Sequence, residues 1–235
     1  MDIPVADGVI EGYLARPVPS VSGDGPYPAV VIVPDVSGLT EDARAHADRF
    51  ATAGYLALAV NLYSRGGLVR CIRSVFRDLL AAKGRTFEDV DAARSLLADR
   101  DDCTGKVGVV GFCLGGGFAL VAATRGFDAA APYYGVMPRD LSVLDGSCPM
   151  VASFGRKDPM LRGAADTLER KLTEQGTPHD VKEYPDAAHS FANRLPGGPF
   201  NVLLKVAGFA YHHESSEDAW RRVMDFFGDH LVLDR

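Results

Sequence analysis

Cys113 lies between two glycines at a point where the chain is predicted to turn sharply. The sequence Gly-Phe-Cys-Leu-Gly over residues 111–115 follows an apolar run, Lys106 to Val110, that predicts a buried strand, and it precedes a predicted helix from Gly116 onward. Such a strand–turn–helix holds a nucleophile in strained dihedrals, and glycines two residues away avoid a collision of side chains. The helix start would aim N–H groups at the thiol and favour the thiolate. The pattern predicts Cys113 as a nucleophile.

Two alternatives exist for this glycine-rich turn: a buried cysteine that only packs, and a phosphate-binding loop. The three glycines of residues 115–117 are not followed by the lysine and hydroxyl residue of a phosphate loop, and the dinucleotide fingerprint G-x-G-x-x-G is absent. The position of Cys113 between a strand and a helix favours the catalytic interpretation over packing.

A thiolate nucleophile needs a partner that takes its proton and later protonates the leaving group, and histidine does this near neutral pH. His189 lies in a short loop just after the predicted strand Val181 to Tyr184, and α/β sheets place their chemistry at such strand ends. We expect His46 and His230 to be solvated. The remaining histidines are expected to begin a late strand or to have surface or packing roles: His179, His212 and His213.

The acid that orients such a histidine is expected at another strand end, between nucleophile and base in the chain. Asp158 follows the predicted strand Met150 to Phe154, in a turn between a glycine and a proline, where its alternative role is that of a turn former or helix cap. The chain order Cys113, Asp158, His189 is that of α/β-hydrolases and differs from the chymotrypsin and subtilisin orders.

An oxyanion hole is expected to complete the site. One donor would be the backbone N–H of Leu114, directly after the nucleophile. The second would come from the turn Pro34 to Gly38 after the first core strand, where Val36 is the natural donor.

The elements that must position these residues alternate between strand and helix. Strands are predicted at Pro28–Pro34, Tyr55–Val60, Lys106–Val110, Ala129–Tyr134, Met150–Phe154 and Val181–Tyr184. Helices are predicted from Thr40 (as N-cap) to Ala53, within Val69–Leu97 with a break near Gly84, from Gly116, and at Leu161–Glu174 and Glu217–Leu231. The alternation predicts a three-layer α/β domain with a mostly parallel central sheet. Without repeats or linkers, residues 1–235 are expected to form one domain.

Composition excludes several classes of protein. With 47% hydrophobic and 24% charged residues the chain is of average globular type, and a net charge of −6 with interspersed signs argues against a nucleic-acid partner. No apolar run is long enough to cross a membrane, and the N-terminus lacks a signal peptide. The cysteines are scattered and form no metal-ligand spacing, so we expect reduced thiols, a cytoplasmic location and no metal: Cys71, Cys103, Cys113 and Cys148.

These motifs together resemble the dienelactone hydrolase family, and the resemblance runs nearly end to end. It is carried by Val-Ile-Val-Pro-Asp at 31–35, Gly-Tyr-Leu-Ala-Leu-Ala-Val-Asn-Leu-Tyr at 54–63, Gly-Phe-Cys-Leu-Gly-Gly-Gly at 111–117, Tyr-Tyr-Gly at 133–135, the turn of Gly155 and Asp158, and Ala-His-Ser-Phe at 188–191. The resemblance implies an α/β-hydrolase fold, a cysteine–histidine–aspartate triad, a small ester or lactone as substrate, and no metal or organic cofactor.

The resemblance also implies residues around the thiol. In the family an acidic residue after the first core strand binds the resting thiol. Asp35 stands at that position, where the best-known members have glutamate, and a role as a turn aspartate is equally compatible with the sequence. Tyr134 is a further candidate for thiol gating or substrate binding.

Family members that cleave dienelactone hold its carboxylate with two arginines. One of these positions is Asn193 here, with Arg194 next to it, and the other falls in the helix after Tyr63, where Arg70, Arg73 and Arg77 compete. The tract Leu195 to Tyr211 is expected to shape the pocket wall. The substrate carboxylate and its arginines are therefore not fixed by the sequence.

The leading hypothesis is a hydrolase, a monomer or small homo-oligomer, that attacks an ester or lactone with Cys113. The alternatives are a general carboxylesterase or amidase of the same fold and a non-catalytic ligand-binding module that retains the fold. Turnover of a small ester would separate the enzymes from the binding module.

Overall fold

The computed structural model describes residues 1–194 and 210–232. Its strands are β1 (Asp2–Val5), β2 (Gly8–Ala15), β3 (Tyr27–Val33), β4 (Leu56–Val60), β5 (Cys103–Phe112), β6 (Ala129–Tyr133), β7 (Met150–Gly155) and β8 (His179–Tyr184). Its helices are α1 (Pro19–Ser22), α2 (Glu41–Thr52), α3 (Gly67–Ala81), α4 (Arg85–Ala98), α5 (Leu114–Ala122), α6 (Ala164–Gln175) and α7 (His213–Leu231), with a 3₁₀ helix at Leu141–Leu144.

The described strands form one sheet in the order β1-β2-β4-β3-β5-β6-β7-β8. From β4 to β8 all neighbours are parallel, whereas β1 and β2 pair antiparallel at one edge. The central strands β3, β4 and β6 are apolar and almost wholly buried, as expected for strands covered on both faces. The mostly parallel sheet predicted from the sequence is confirmed.

Helices cover both faces of the sheet. On one face α2 packs against α7, where the ring of Phe50 contacts Trp220 and Phe227. Elsewhere α4 packs against α5 through Phe87 and Phe118. A Cβ at Gly108 of β5 would meet Phe227, and one at Gly111 would meet the start of α5. Since residues an odd number apart on a strand point to opposite faces, α7 and α5 lie on opposite sides of the sheet.

The predicted elements are present, with three kinds of correction. The antiparallel strands β1 and β2 and the short α1 were not predicted. Helix α5 begins at Leu114 and not at Gly116, so the turn after β5 is tighter than predicted. Helix α7 begins at His213 and not at Glu217, because the His212 side chain accepts a hydrogen bond from the Ser215 N–H and caps it. Within the described part of the chain, no helix is long and apolar enough to span a membrane.

Candidate active site

The register of the sheet brings the predicted site residues to the carboxyl ends of the parallel strands. Val33 of β3 is paired with Gly111 of β5. Asp35 and Cys113 each follow two residues later, so they lie just beyond the ends of two neighbouring strands. At the same end of the sheet, β7 and β8 end beside each other, and the loops that follow them carry Asp158 and His189. The candidate catalytic residues thus lie at the carboxyl ends of the parallel strands.

The turn from β5 into α5 is a strained elbow. The backbone of Cys113 has φ 54° and ψ −112°, a conformation that residues other than glycine seldom adopt. The backbone fixes it on both sides: its N–H donates to Tyr133 O at 3.1 Å, and its carbonyl accepts from the Gly117 N–H at 3.2 Å. A Cβ at Gly111 would lie 1.9 Å from Gly115 O, and one at Gly115 would lie 2.0 Å from Val33 O. The flanking glycines are therefore required by close backbone approach, as the sequence predicted.

Cys113, His189 and Asp158 form a continuous chain of contacts. The His189 Nε2 atom lies 3.0 Å from Cys113 Sγ, and Nδ1 donates to Asp158 Oδ2 at 2.5 Å. The side chains of His189 and Asp158 are 2% and 0% exposed, while Cys113 is half-buried. The other Asp158 oxygen accepts from the Met160 N–H at 2.9 Å. The acid and the base are thus shielded from water, and the sulfur remains partly accessible.

The environment of His189 favours its protonated form. Burial alone would lower the pKa of this imidazole, but its hydrogen bonds to Asp158 and Cys113 outweigh burial and raise the pKa to about 9. At neutral pH the imidazole beside Cys113 is therefore protonated, with Asp158 behind it. This arrangement provides a nucleophile and a proton donor in adjacent positions.

The loop that carries His189 is held by the turn that carries Asp158. The Lys157 N–H donates to Ala187 O at 2.9 Å. At Gly155 a Cβ would come within 2.7 Å of the same carbonyl, so the two backbones pack directly. From the other side, the Ala210 N–H donates to His189 O at 3.2 Å. The relative position of acid and base is therefore set by backbone contacts and not by side-chain packing alone.

Two backbone N–H groups are available as oxyanion donors. Leu114 is the first residue of α5, where an N–H has no acceptor within its own helix. Val36 is the second residue of a turn closed by the Gly38 N–H on Asp35 O at 3.0 Å, and this closure does not use the Val36 N–H. The buried Tyr63 donates its hydroxyl to Val36 O at 3.0 Å, which anchors this turn through the carbonyl of Val36. The sequence did not predict this contact of Tyr63.

A polar network lies beside the elbow. The buried Asn193 amide nitrogen donates to Asp35 Oδ2 at 3.0 Å and to Asp42 Oδ2 at 3.1 Å. Its oxygen accepts from the hydroxyl of the fully buried Tyr134. Burial raises the pKa of Tyr134 well above its ordinary value, and the charges of Asp35 and Cys113 add to this, so the phenol stays a neutral donor.

Asp35 makes its hydrogen bonds with this network. One of its oxygens accepts from the Ser37 N–H at 2.7 Å and the other from Asn193, while Cys113 Sγ contacts His189. Burial raises the pKa of Asp35, and its hydrogen bonds with Ser37 oppose that effect in part. Both predicted roles of Asp35 remain open: it does form a turn hydrogen bond, and it stands at the strand end next to the thiol.

Asp42 was not among the predicted site residues, and His46 departs from its predicted exposure. The two residues lie four positions apart on α2, with His46 Nε2 3.6 Å from Asp42 Oδ2. The imidazole is not solvated as predicted: its ring stacks on Phe112 at 4.1 Å, and its side chain is 14% exposed. The spacing of an acid and a histidine by one helical turn was the available signal. No group of three or more potential metal ligands lies together in residues 1–194 and 210–232.

The predicted arginines are not part of this network through their guanidinium groups. Arg70 and Arg73 are exposed on α3, and Arg73 lines a surface groove with Phe76. Arg194 contributes its backbone N–H to Asp42 at 3.1 Å, and its guanidinium donates to Tyr211. The pocket wall expected from Leu195 to Tyr211 lies, for residues 195–209, outside the described part of the chain.

The chain is similar to known proteins over nearly its whole length. The model of the dienelactone hydrolase family matches residues 10–231. A "Putative carboxymethylenebutenolidase" of Yersinia pestis is 27% identical over 98% of this chain and 87% of its own length, and one of Escherichia coli (strain K12) is 28% identical over 96% and 84%. The crystal structure of a "Putative Dienelactone Hydrolase" from Klebsiella pneumoniae subsp. pneumoniae MGH 78578 has a TM-score of 0.79 and 26% identity, and covers 98% of this chain and 97% of its own.

Proposed function

Since this chain belongs to the dienelactone hydrolase family of carboxylic-ester hydrolases, we propose that it cleaves a small ester or lactone with the thiolate of Cys113 as nucleophile. One observation carries the proposal: Cys113 Sγ, His189 and Asp158 are linked through contacts of 3.0 and 2.5 Å at the end of a strained elbow. The two N–H donors of Leu114 and Val36 complete the set of groups that acyl transfer requires.

In the first half of the reaction the Cys113 thiolate attacks the carbonyl carbon of the substrate. A carbon–sulfur bond forms, and the carbonyl electron pair moves onto oxygen, which accepts hydrogen bonds from the Leu114 and Val36 N–H groups. When this intermediate collapses, the carbon–oxygen bond to the leaving group breaks. The leaving oxygen takes the proton of His189 Nε2, and a thioester of Cys113 remains.

In the second half water attacks the thioester carbonyl while neutral His189 accepts its proton. The carbon–sulfur bond breaks, the acid leaves, and Cys113 is again a thiolate beside a protonated imidazole. Throughout, Asp158 accepts from His189 Nδ1, so that Nε2 always faces the sulfur. With a lactone, acid and alcohol leave as one molecule.

Substitution and alkylation of Cys113 test the proposal. We expect Cys113→Ala to lose at least about a thousandfold in the turnover of a p-nitrophenyl ester, because no nucleophile remains. The matched control is Cys103→Ser. Cys103 is a half-buried thiol at the start of β5, at the opposite end of this strand from Cys113, and its sulfur accepts the Gly105 N–H. This control should keep full turnover and its sensitivity to iodoacetamide.

Mass spectrometry should then show that inactivation of the native chain follows modification of Cys113. Turnover that survives complete alkylation of Cys113 would contradict the mechanism. Binding of an ester or lactone without any turnover, under reducing conditions, would instead support the non-catalytic module.

A further inference from the structure

Two aspartates belong to the described polar network beside the thiol. Asp35 stands at the strand end next to Cys113, and Asp42 lies on the far side of the Asn193 amide. Asn193 is 4% exposed, and both of its amide hydrogens are donated to these two carboxylates. The group between the two acids is thus a neutral amide, and it adds no positive charge between them.

Both acids act as acceptors in the hydrogen bonds of this network. Asp35 accepts N–H groups on both oxygens, from Ser37 and Asn193, and Asp42 accepts them from Asn193 and the Arg194 backbone. A carboxylate that only accepts hydrogen bonds is suited to the ionised form. His46, 3.6 Å from Asp42, offsets part of one charge when it is protonated.

Within residues 1–194 and 210–232, Asp35 forms no ion pair, and Asp42 has only His46 as an ion-pair partner. His189 is paired with Asp158 on one side and with Cys113 on the other. The guanidinium of Arg194 lies over the Tyr211 ring, 5.0 Å from its centroid, and is exposed. The partly buried acids are screened by solvent much less than this exposed arginine is.

We infer that Asp35 and Asp42, held apart by Asn193, are specificity-determining residues that make the site select esters and lactones without a negative charge. An anionic group beside the scissile bond would be placed against two carboxylates in a partly desolvated site. A neutral substrate avoids this repulsion, and a cationic one is attracted. The inference rests on the proposed function for its substrates, but the field at the thiol can be measured without hydrolysis.

The first experiment compares two alkylating agents of nearly equal size and different charge. Iodoacetamide is neutral and iodoacetate is anionic, and both react with the sulfur of Cys113. The rate constants for Cys113, followed by mass spectrometry at about pH 8, are each divided by those for β-mercaptoethanol to remove intrinsic reactivity. We expect this normalised ratio to favour iodoacetamide by on the order of tenfold at low ionic strength and to shrink in added salt.

Variants locate the source of this preference. Asp35→Asn and Asp42→Asn each remove one charge while conserving shape, and each should lower the ratio several-fold. Asp24→Asn is the matched control. This exposed carboxylate precedes β3, at the amino end of the strand and away from Cys113, so its substitution should leave the ratio unchanged. Two acid variants are used so that a folding defect in one does not end the test.

The second experiment measures kcat/KM for three p-nitrophenyl esters with the same leaving group. Their acyl chains end in tert-butyl, its cationic isostere trimethylammonium, or sulfonate. We expect the sulfonate ester to be the poorest substrate by about tenfold, with the difference reduced in Asp35→Asn.

The outcomes separate the two proposals. Equal alkylation by both agents, or a ratio that neither acid variant changes, would overturn the selection against anions. A strong preference for iodoacetamide with no turnover of any ester would support the field and refute the hydrolytic function. Efficient turnover of the sulfonate ester would leave the hydrolase standing and refute the specificity.

Discussion

The substitution Gly115→Ala examines the closest backbone approach in the site. The added Cβ would lie 2.0 Å from Val33 O, 2.5 Å from Pro34 O and 2.6 Å from Val33 C. These atoms are backbone, so no side chain can rotate away. Ordinary contacts of a Cβ begin at 3.4 Å, and the start of α5 must therefore move from the end of β3 by roughly 1.4 Å.

This movement has two expected consequences. Forcing an atom into a fully packed interior costs about 3 kcal/mol of unfolding free energy when the neighbours cannot repack. The displaced parts carry Leu114 and Val36, whose N–H groups are the proposed oxyanion donors. A misplacement of about 1 Å in a catalytic group can cost on the order of a hundredfold in rate, and we expect a loss of that size in kcat.

Urea unfolding and p-nitrophenyl ester hydrolysis measure the two effects. The control is Gly228→Ala on α7, where an added Cβ meets nothing within 4 Å. It should raise the unfolding free energy by about 0.5–1 kcal/mol through helix propensity and leave kcat/KM unchanged. A Gly115→Ala variant that unfolds and turns over like the native chain would refute the reasoning, because the two backbones could then not be in contact.

Three further predictions concern the same site. Asp158→Asn should lower kcat by about 10²–10⁴ with the circular dichroism spectrum unchanged, because His189 Nδ1 loses the carboxylate that orients it; an unchanged kcat would contradict its role. In the native chain kcat/KM should fall above about pH 9, where His189 loses its proton. Because the pKa of His189 is raised from 6.5 in the unfolded chain to about 9 in the folded chain, the stability that its protonated form contributes is complete below pH 6.5 and is lost as pH rises through 9. A series of Tm values across this range would show the loss. Tyr63→Phe should lower kcat about tenfold with KM unchanged and cost about 1 kcal/mol of unfolding free energy, because the turn that carries the Val36 N–H loses the hydroxyl that anchors its Val36 carbonyl; a change confined to Tm would indicate a purely structural role.

Much of the fold follows from local sequence. The buried strands are continuous apolar runs, and the turns after the predicted strands begin with glycine, proline, aspartate or asparagine, so strand and turn are visible in a short window. The strands β1 and β2 were missed because an edge pair is half exposed and lacks such a run. The start of α5 was placed two residues late because Gly115, a poor helix former, follows Leu114 and is fixed by contact with the backbone at the end of β3.

The sequence by itself determined the nucleophile, acid and base candidates, because each follows a strand in a recognisable turn and their order along the chain is informative. Only the tertiary structure decided what surrounds the thiol. Asn193 joins Asp35 and Asp42 across 158 and 151 residues of chain, and Tyr63 reaches Val36 across 27. Such contacts depend on the register of parallel strands and the packing of α2 on the sheet. The physical reason is that local propensity sets the direction of each strand end, whereas the partner of a side chain is set by which distant backbone the close-packed core brings beside it.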